Sequence, residues 1–267
     1  MPEAARAGFS FIGLRMIPAT TGGPAYPTQV GTAAHRDLKR LLADEGVRLN
    51  EIEFVQLTPV IDIPALAGLF EAAVDLGAVA VTASGDDDDH ARLTAHFAKL
   101  CDLARQFGLR VDLEFMRWRA VGSLPQAEAI VRGAGKANGA ILVDALHLNR
   151  SGGKPADLIA LPARYLRTAQ LCDAAADIPA SDAAIIAEAR EGRLPPGEGA
   201  LPLSGLLDVL PADASLSVEM PLPALDVRAR LTTAYSAARR LLDHQPLGTL
   251  RPEHRREEGG STLIRTT

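Results

Sequence analysis

The sequence predicts an α/β fold closing as a single (β/α)8 barrel, and three observations carry that expectation. Short β-type runs alternate with longer helical ones at a spacing of roughly 30 residues, the length of a βαβ unit. Most β-type runs are near-continuous apolar stretches, as expected of parallel strands covered on both faces. The chain has 267 residues, close to the ~250 typical of one such barrel. A doubly wound open sheet is the rival. It would carry a Gly-rich phosphate turn after an early strand, and "FIGLRMIP" has one glycine.

Seven strand candidates follow in order: "SFIGLRM" (10–16), "EIEFVQL" (51–57), "AVAVTA" (78–83), "LRVDLEF" (109–115), "GAILVDA" (139–145), "LRTAQLC" (166–172) and "SLSVEM" (215–220). An eighth is needed for closure, and the weaker stretch "PGEGALPL" (196–203) is the candidate. Of the intervening helices, "DHARLTAHFAKLCDLARQFG" is the best formed: Asp89 is placed to cap it, apolar residues recur every three to four, and Gly108 stops it. The run "GDDDDH" (85–90) abuts that start. Four consecutive aspartates cannot all face one ion, so it reads as loop and helix cap, where negative charge is favoured. Residues 1–244 are expected to form the barrel. Periodicity ends in 245–267, which reads as a C-terminal tail or an arm over a neighbour.

Composition narrows the function. The net charge is −5, aromatics are 4%, and the basic residues are scattered apart from "RPEHRR". That balance offers no electrostatic footprint or stacking platform for nucleic acid. No run of ~18 apolar residues exists to span a membrane, and "MPEAARAGFSF" lacks the pattern of a signal peptide. Cys101 and Cys172 both sit in apolar segments, which favours buried thiols and a reducing cytoplasm. The expected partner is a small molecule. Such barrels often self-associate, so a homo-oligomer is an allowed outcome that no residue demands.

The C-terminal ends of barrel strands form the rim of the active site, and here four apolar runs are interrupted there. They carry Glu114, Asp144, Gln170 and Glu219. One buried carboxylate can be a hydrogen-bonded structural residue. Three converging on one mouth repel one another strongly unless a positive charge offsets them. A divalent cation is the economical answer, since all four side chains offer oxygen. That donor set suits Mg²⁺ or Mn²⁺, with Co²⁺ or Zn²⁺ as further candidates, and argues against a structural zinc site. Arg15 and Glu53, on the first two strands, either pair with each other or contact substrate. Trp118, the one tryptophan, walls the pocket or packs on a helix.

The segments "VDLEF", "LVDALHLNRSGG", "AQLCDA", "RLPPGEG" and "LSVEMP", in this order, resemble the sugar phosphate isomerase/epimerase family of xylose isomerase-like TIM barrels. Inosose isomerases and dehydratases, ketose 3-epimerases and 3-dehydroshikimate dehydratases belong to that family. The resemblance spans roughly residues 10 to 243. It implies a metal held by Glu114, Asp144, Gln170 and Glu219. Many members have histidine where Gln170 stands, and the glutamine is similar to some dehydroshikimate dehydratases. The resemblance also implies that His147, three beyond Asp144, faces the substrate, and that Arg193 lies over it. Without the resemblance, His147 reads as a loop-bound structural histidine, Arg193 as a charged helix end and Arg150 as a solvated loop charge or a salt bridge with a neighbouring loop.

The expected activity is therefore a metal-dependent isomerase or epimerase of a sugar or polyol-derived ketose. An α-proton beside a metal-bound carbonyl is acidified, with Glu114 and Glu219 as base and acid, and Arg193, Glu53 and Arg15 on the substrate. Loss of a β-hydroxyl instead would make the enzyme a lyase, a dehydratase of a keto-polyol or 3-dehydroshikimate-like acid. More remote readings are a non-catalytic ligand-binding barrel and an endonuclease IV-like nuclease, which would need several histidines and a basic face.

Overall fold

Each of the seven apolar runs becomes a strand, because each is flanked by helices that cover its outer face while its alternate residues fill the interior. The computed structural model describes residues 1–18, 26, 29–244 and 264–266. Strands β1 (Phe11–Arg15), β2 (Arg48–Leu57), β3 (Ala80–Gly85), β4 (Arg110–Glu114), β5 (Gly139–Asp144), β6 (Thr168–Leu171) and β7 (Ser215–Val218) are parallel neighbours in chain order. A three-residue strand, β8 (Ile264–Thr266), pairs with both β7 and β1 and closes the barrel. The helices are α1 (Pro2–Ala7), α2 (Ala33–Glu45), α3 (Ala67–Asp75), α4 (His90–Gln106), α5 (Leu124–Ala134), α6 (Ala145–Arg150), α7 (Asp182–Ala187), α8 (Leu203–Val209) and α9 (Val227–Asp243).

The eighth strand is not where the sequence pattern puts it. Residues 196–203 form turns that lead into α8. Pro195, Pro196 and Pro202 have no N–H to give a ladder, and Gly197 adopts φ 86°. The free N–H groups of Gly197 and Leu201 go to the Asp173 carboxylate instead. The strand that does close the barrel is too short to show a period. It falls within the stretch expected as a tail; the rest of that stretch, residues 245–263 and 267, lies outside the described residues.

Helix α4 shows how local sequence and packing agree. The Asp89 carboxylate accepts from the N–H of Ala91 and Arg92, and Gly108 at φ 73° follows its end. Leu93, Phe97, Leu100, Cys101 and Ala104 form its buried stripe. The other aspartates of the run also have loop roles: Asp87 pairs with Arg92, and Asp86 with Ser84 and Arg119.

Strand register sets which residues point inward. Asp144 lies opposite Gln170, Gln170 opposite Ser217, and Glu114 opposite Leu142. Since positions i and i+2 share a face, Glu114, Asp144, Gln170 and Glu219 all point inward at one end of the barrel. One layer below, Asp112 accepts from Thr168 and Arg110 at 2.6–2.8 Å, a buried polar plug beneath the rim.

Gly85 ends β3 where the loop after β4 crosses it, and a Cβ there would lie 2.2 Å from Val121 Cγ2 and 3.1 Å from Leu93 Cδ2. Gly85→Ala should lower the unfolding free energy by about 1–3 kcal/mol, an overpacking cost. Urea denaturation reads this as an earlier midpoint with an unchanged slope.

Candidate active site

The site is assembled from strand ends, one short helix and one loop. Asp144 is the last residue of β5 and also the N-cap of α6, its Oδ1 accepting from the N–H of His147 at 2.9 Å. That cap explains the three-residue spacing: the bond from N-cap to N3 folds the chain so that His147 returns beside the carboxylate. His147 Nε2 then lies 3.6 Å from Glu114 Oε1. One ligand atom from each of Glu114, Asp144 and His147 falls within 4.8 Å of the others, a group able to hold a metal ion.

Arg193 enters from the loop between α7 and α8, not from a helix surface, and is 2% exposed. Its Nη1 donates to Asp144 Oδ2 at 2.6 Å and to Cys172 Sγ at 3.1 Å. Its Nη2 lies 3.2 Å from Glu219 Oε2 and 3.4 Å from His147 Nε2. One guanidinium therefore touches two of the four residues expected to hold a metal. Gln170 is buried beside Asp144 in register, and its Oε1 has no hydrogen-bond partner.

These contacts set the protonation states. Burial pushes Glu114 well above the usual carboxylate range, and the charges of Glu219, Asp144 and Glu53 add to the shift. Glu219 is pushed up to about 7 by burial, against the pull of Arg193 and with a further push from Asp144. Burial alone would raise Asp144 as well, but Arg193 and His147 outweigh it and hold this carboxyl below its ordinary value. The site thus contains one firmly ionised carboxylate and two that titrate late. Burial lowers His147 to about 4, so the imidazole is neutral at physiological pH. Cys172 is raised to about 12 by burial and stays a thiol.

On the opposite rim Arg15 and Glu53 pair at 2.5 Å, with the Arg15 side chain 38% exposed. Arg15 and Arg119 both approach the Phe54 ring, at 5.3 and 5.5 Å from its centroid. Trp118 meets His147 edge to face, with centroids 5.1 Å apart, and so walls the site. Phe115, three residues before it and just past the end of β4, is fully buried in the core and walls nothing. Of the two readings of Arg150 the salt bridge holds and the solvated charge does not: it is buried and pairs with Glu188, 38 residues away in sequence. Arg119, Phe54 and Cys172 had no sequence signal of their own; Arg119 merely flanks the tryptophan in "RWR".

The family model of the xylose isomerase-like TIM barrel matches residues 1–243. No curated protein sequence matches the chain. Among solved structures, a xylose isomerase-like TIM barrel/4-hydroxyphenylpyruvate dioxygenase fusion protein superposes with a TM-score of 0.77 at 19% identity. That alignment covers 98% of this chain and 43% of the fusion protein, so the chain spans less than half of its length. The IolI protein with a bound zinc atom gives 0.73 at 19% identity, covering 91% of each chain. The probable 3-DHS dehydratase AsbF from Bacillus anthracis gives 0.71 at 18% identity, covering 89% of this chain and 91% of that one. At such identities the likeness is one of fold.

Arg193→Met strands the Asp144 carboxylate in the interior. Without added metal, it should cost about 3–5 kcal/mol of stability, the usual penalty for breaking a buried ion pair from one side. The double variant Asp144→Asn/Arg193→Met should be more stable than Arg193→Met alone. Equal or lower stability of the double variant, by chemical denaturation, would contradict the pairing.

Proposed function

The chain belongs to the xylose isomerase-like TIM barrel family, and we propose that it is a divalent-metal-dependent isomerase or epimerase acting at the α-carbon of a polyhydroxylated ketose. The observation that carries this reading is the pair Glu114 and Glu219. Both line one mouth, and both are raised above the ordinary carboxylate range. A carboxyl titrating near 7 can take a proton from carbon and return it at working pH, which an ordinary carboxylate does poorly.

The residues present fit a cation. Glu114, Asp144 and His147 offer ligand atoms within 4.8 Å of one another, Glu219 reaches the same Arg193 guanidinium as Asp144, and Gln170 Oε1 is buried with no partner of its own. A single guanidinium offsets only part of that negative charge. Glu114, Asp144, Gln170 and Glu219 would hold the ion, with His147 close enough to join or replace one of them. Oxygen donors favour Mg²⁺ or Mn²⁺, while the imidazole keeps Zn²⁺ and Co²⁺ as candidates. Bound there, the cation supplies Lewis-acid polarisation of a substrate carbonyl and its neighbouring hydroxyl.

The chain's own groups do the rest. Glu114 and Glu219 hold and release the proton at their Oε atoms. Arg193 Nη2 is placed to bind a substrate oxygen beside His147, and neutral His147 orients a hydroxyl. Arg15 and Glu53 meet the hydroxyls at the far rim, and Trp118 with Phe54 limits water. The two free, buried thiols fit a reducing cytoplasm.

A lyase reading is favoured by one residue. Gln170 supplies a neutral amide and cannot take a proton, as a histidine there would. Protonation of a departing β-hydroxyl, from a keto-polyol or a 3-dehydroshikimate-like acid, then falls to Glu114 or Glu219, since neutral His147 has no acidic proton to give. Incubation of metal-loaded protein with ketoses and with 3-dehydroshikimate in D₂O separates the readings. Isomerase or epimerase action gives deuterium at the α-carbon with no new absorbance. Dehydration gives a conjugated chromophore. Neither signal with any substrate would defeat both.

Two further outcomes are expected. Glu219→Gln should lower turnover by about 10²–10⁴-fold, the typical contribution of a positioned acid or base. Cation affinity by calorimetry should strengthen from pH 6 to pH 8, with protons released on binding, because Glu219 gives up its proton near 7. His147, lowered to about 4, adds no competition in that window. A flat affinity across it would exclude Glu219 as a ligand.

A further inference from the structure

Arg193 is delivered by a segment clamped on both sides by residues that the proposed chemistry does not use. After α7 the chain makes one π-helical turn, Glu188–Gly192, and leaves it at Arg193. Such turns break the regular ladder and redirect the residue that follows. Arg193 Nε donates back to Ala189 O at 2.9 Å, so the guanidinium takes its direction from that turn.

The turn is held in place by Arg150. This arginine ends α6, its side chain is 1% exposed, and it grips the Glu188 carboxylate with two parallel bonds: Nε to Oε2 at 2.7 Å and Nη2 to Oε1 at 2.6 Å. Its remaining donors reach Ala175 O at 2.8 Å and Asn149 Oδ1 at 2.6 Å. One buried guanidinium thus ties together α6, the segment after β6 and the first residue of the turn. A planar fork fixes orientation as well as distance, which a lysine could not do.

On the other side of Arg193, Leu194 and Asp173 exchange two backbone hydrogen bonds of 2.7 and 2.8 Å. The Asp173 carboxylate accepts from the N–H of Ala174, Gly197 and Leu201. Gly199 runs so close beneath that a Cβ would lie 2.4 Å from Asp173 Oδ1 and Ala174 O. The C-terminal anchor therefore spreads over several backbone groups and the Asp173 carboxylate, whereas the N-terminal one depends on a single ion pair. That ion pair is the adjustable part.

We propose that Arg150 is a positioning residue: through Glu188 it sets the turn that aims the Arg193 guanidinium at Asp144, His147 and Glu219. It touches none of the three reacting groups itself. Its consequence for turnover rests on the function proposed above, but the placement does not.

The test reads placement directly. In cation-free protein with ¹⁵N-labelled histidine, the His147 ring signal is assigned by its loss in His147→Gln. Arg193→Met removes the donor 3.4 Å from Nε2 and should displace that signal. Arg150→Gln should displace it in the same direction by at least half as much, and Arg150→Gln/Arg193→Met should match Arg193→Met alone. Arg150→Lys should fall between wild type and Arg150→Gln. If Arg150 only supports the fold, Arg150→Gln lowers the unfolding midpoint and leaves the His147 signal unmoved, or its effect adds to that of Arg193→Met; either overturns the proposal. Glu188→Gln, isosteric and short of one charge, gives the same comparison should Arg150→Gln fail to fold. Wild-type protein that neither binds a cation nor turns over substrate would sink the proposed function and leave this comparison intact.

Discussion

The organising constraint is electrostatic: three carboxylates share one mouth of the barrel, and around Asp144 and Glu114 little water remains to screen them. Repulsion between close charges grows as the effective dielectric falls. The molecule meets it by dividing the roles. Asp144 stays ionised against the Arg193 guanidinium, and Glu114 and Glu219 move toward the protonated form. Remove Arg193, or bring in a cation, and the proton balance of the whole site must change. The chemistry proposed for it follows from that sensitivity.

Rigid elements make the crowding possible. A strand end cannot relax away from its neighbours without breaking ladder bonds. Glu114 and Asp144 are therefore held on β4 and β5, and Glu219, one residue past β7, is tied by its N–H to Leu171 O. The Asp144 cap spends one carboxylate oxygen on backbone and leaves the other for Arg193. The Arg193 loop, which is not held by a strand ladder, is pinned instead by Asp173 and by the Arg150–Glu188 pair. Orientation at an active site must hold to within fractions of an ångström, and a buried bidentate pair is one of the few side-chain devices stiff enough for it.

The candidate site was legible where local rules act. A polar residue at the end of an apolar strand stands out because nothing else in the run is polar, and Glu114, Asp144, Gln170 and Glu219 were found in this way. Arg15 and Glu53 were readable as a pair because they lie on adjacent strands, and they are paired in register. Arg150 stayed open between a solvated charge and a salt bridge because its partners, Glu188 and Ala175, are brought to it only by the fold. Arg119 and Phe54 left no mark for the same reason. The sequence pattern puts the eighth strand at 196–203 because closure needs one more strand and the segment that supplies it, Ile264–Thr266, is too short to show a period. At 196–203 the Asp173 carboxylate takes the N–H groups of Gly197 and Leu201 instead.

The sequence by itself determined the α/β alternation, the seven long strands, the cap of α4 and the polar rim. These depend on periodicity, propensity and capping, which act within a few residues. Tertiary structure alone decided which short segment closes the barrel, which arginine offsets the carboxylates and which glutamates are raised above the ordinary carboxylate range. Those outcomes depend on distances between residues tens of positions apart and on how far each is removed from water. Neither quantity exists until the chain has folded.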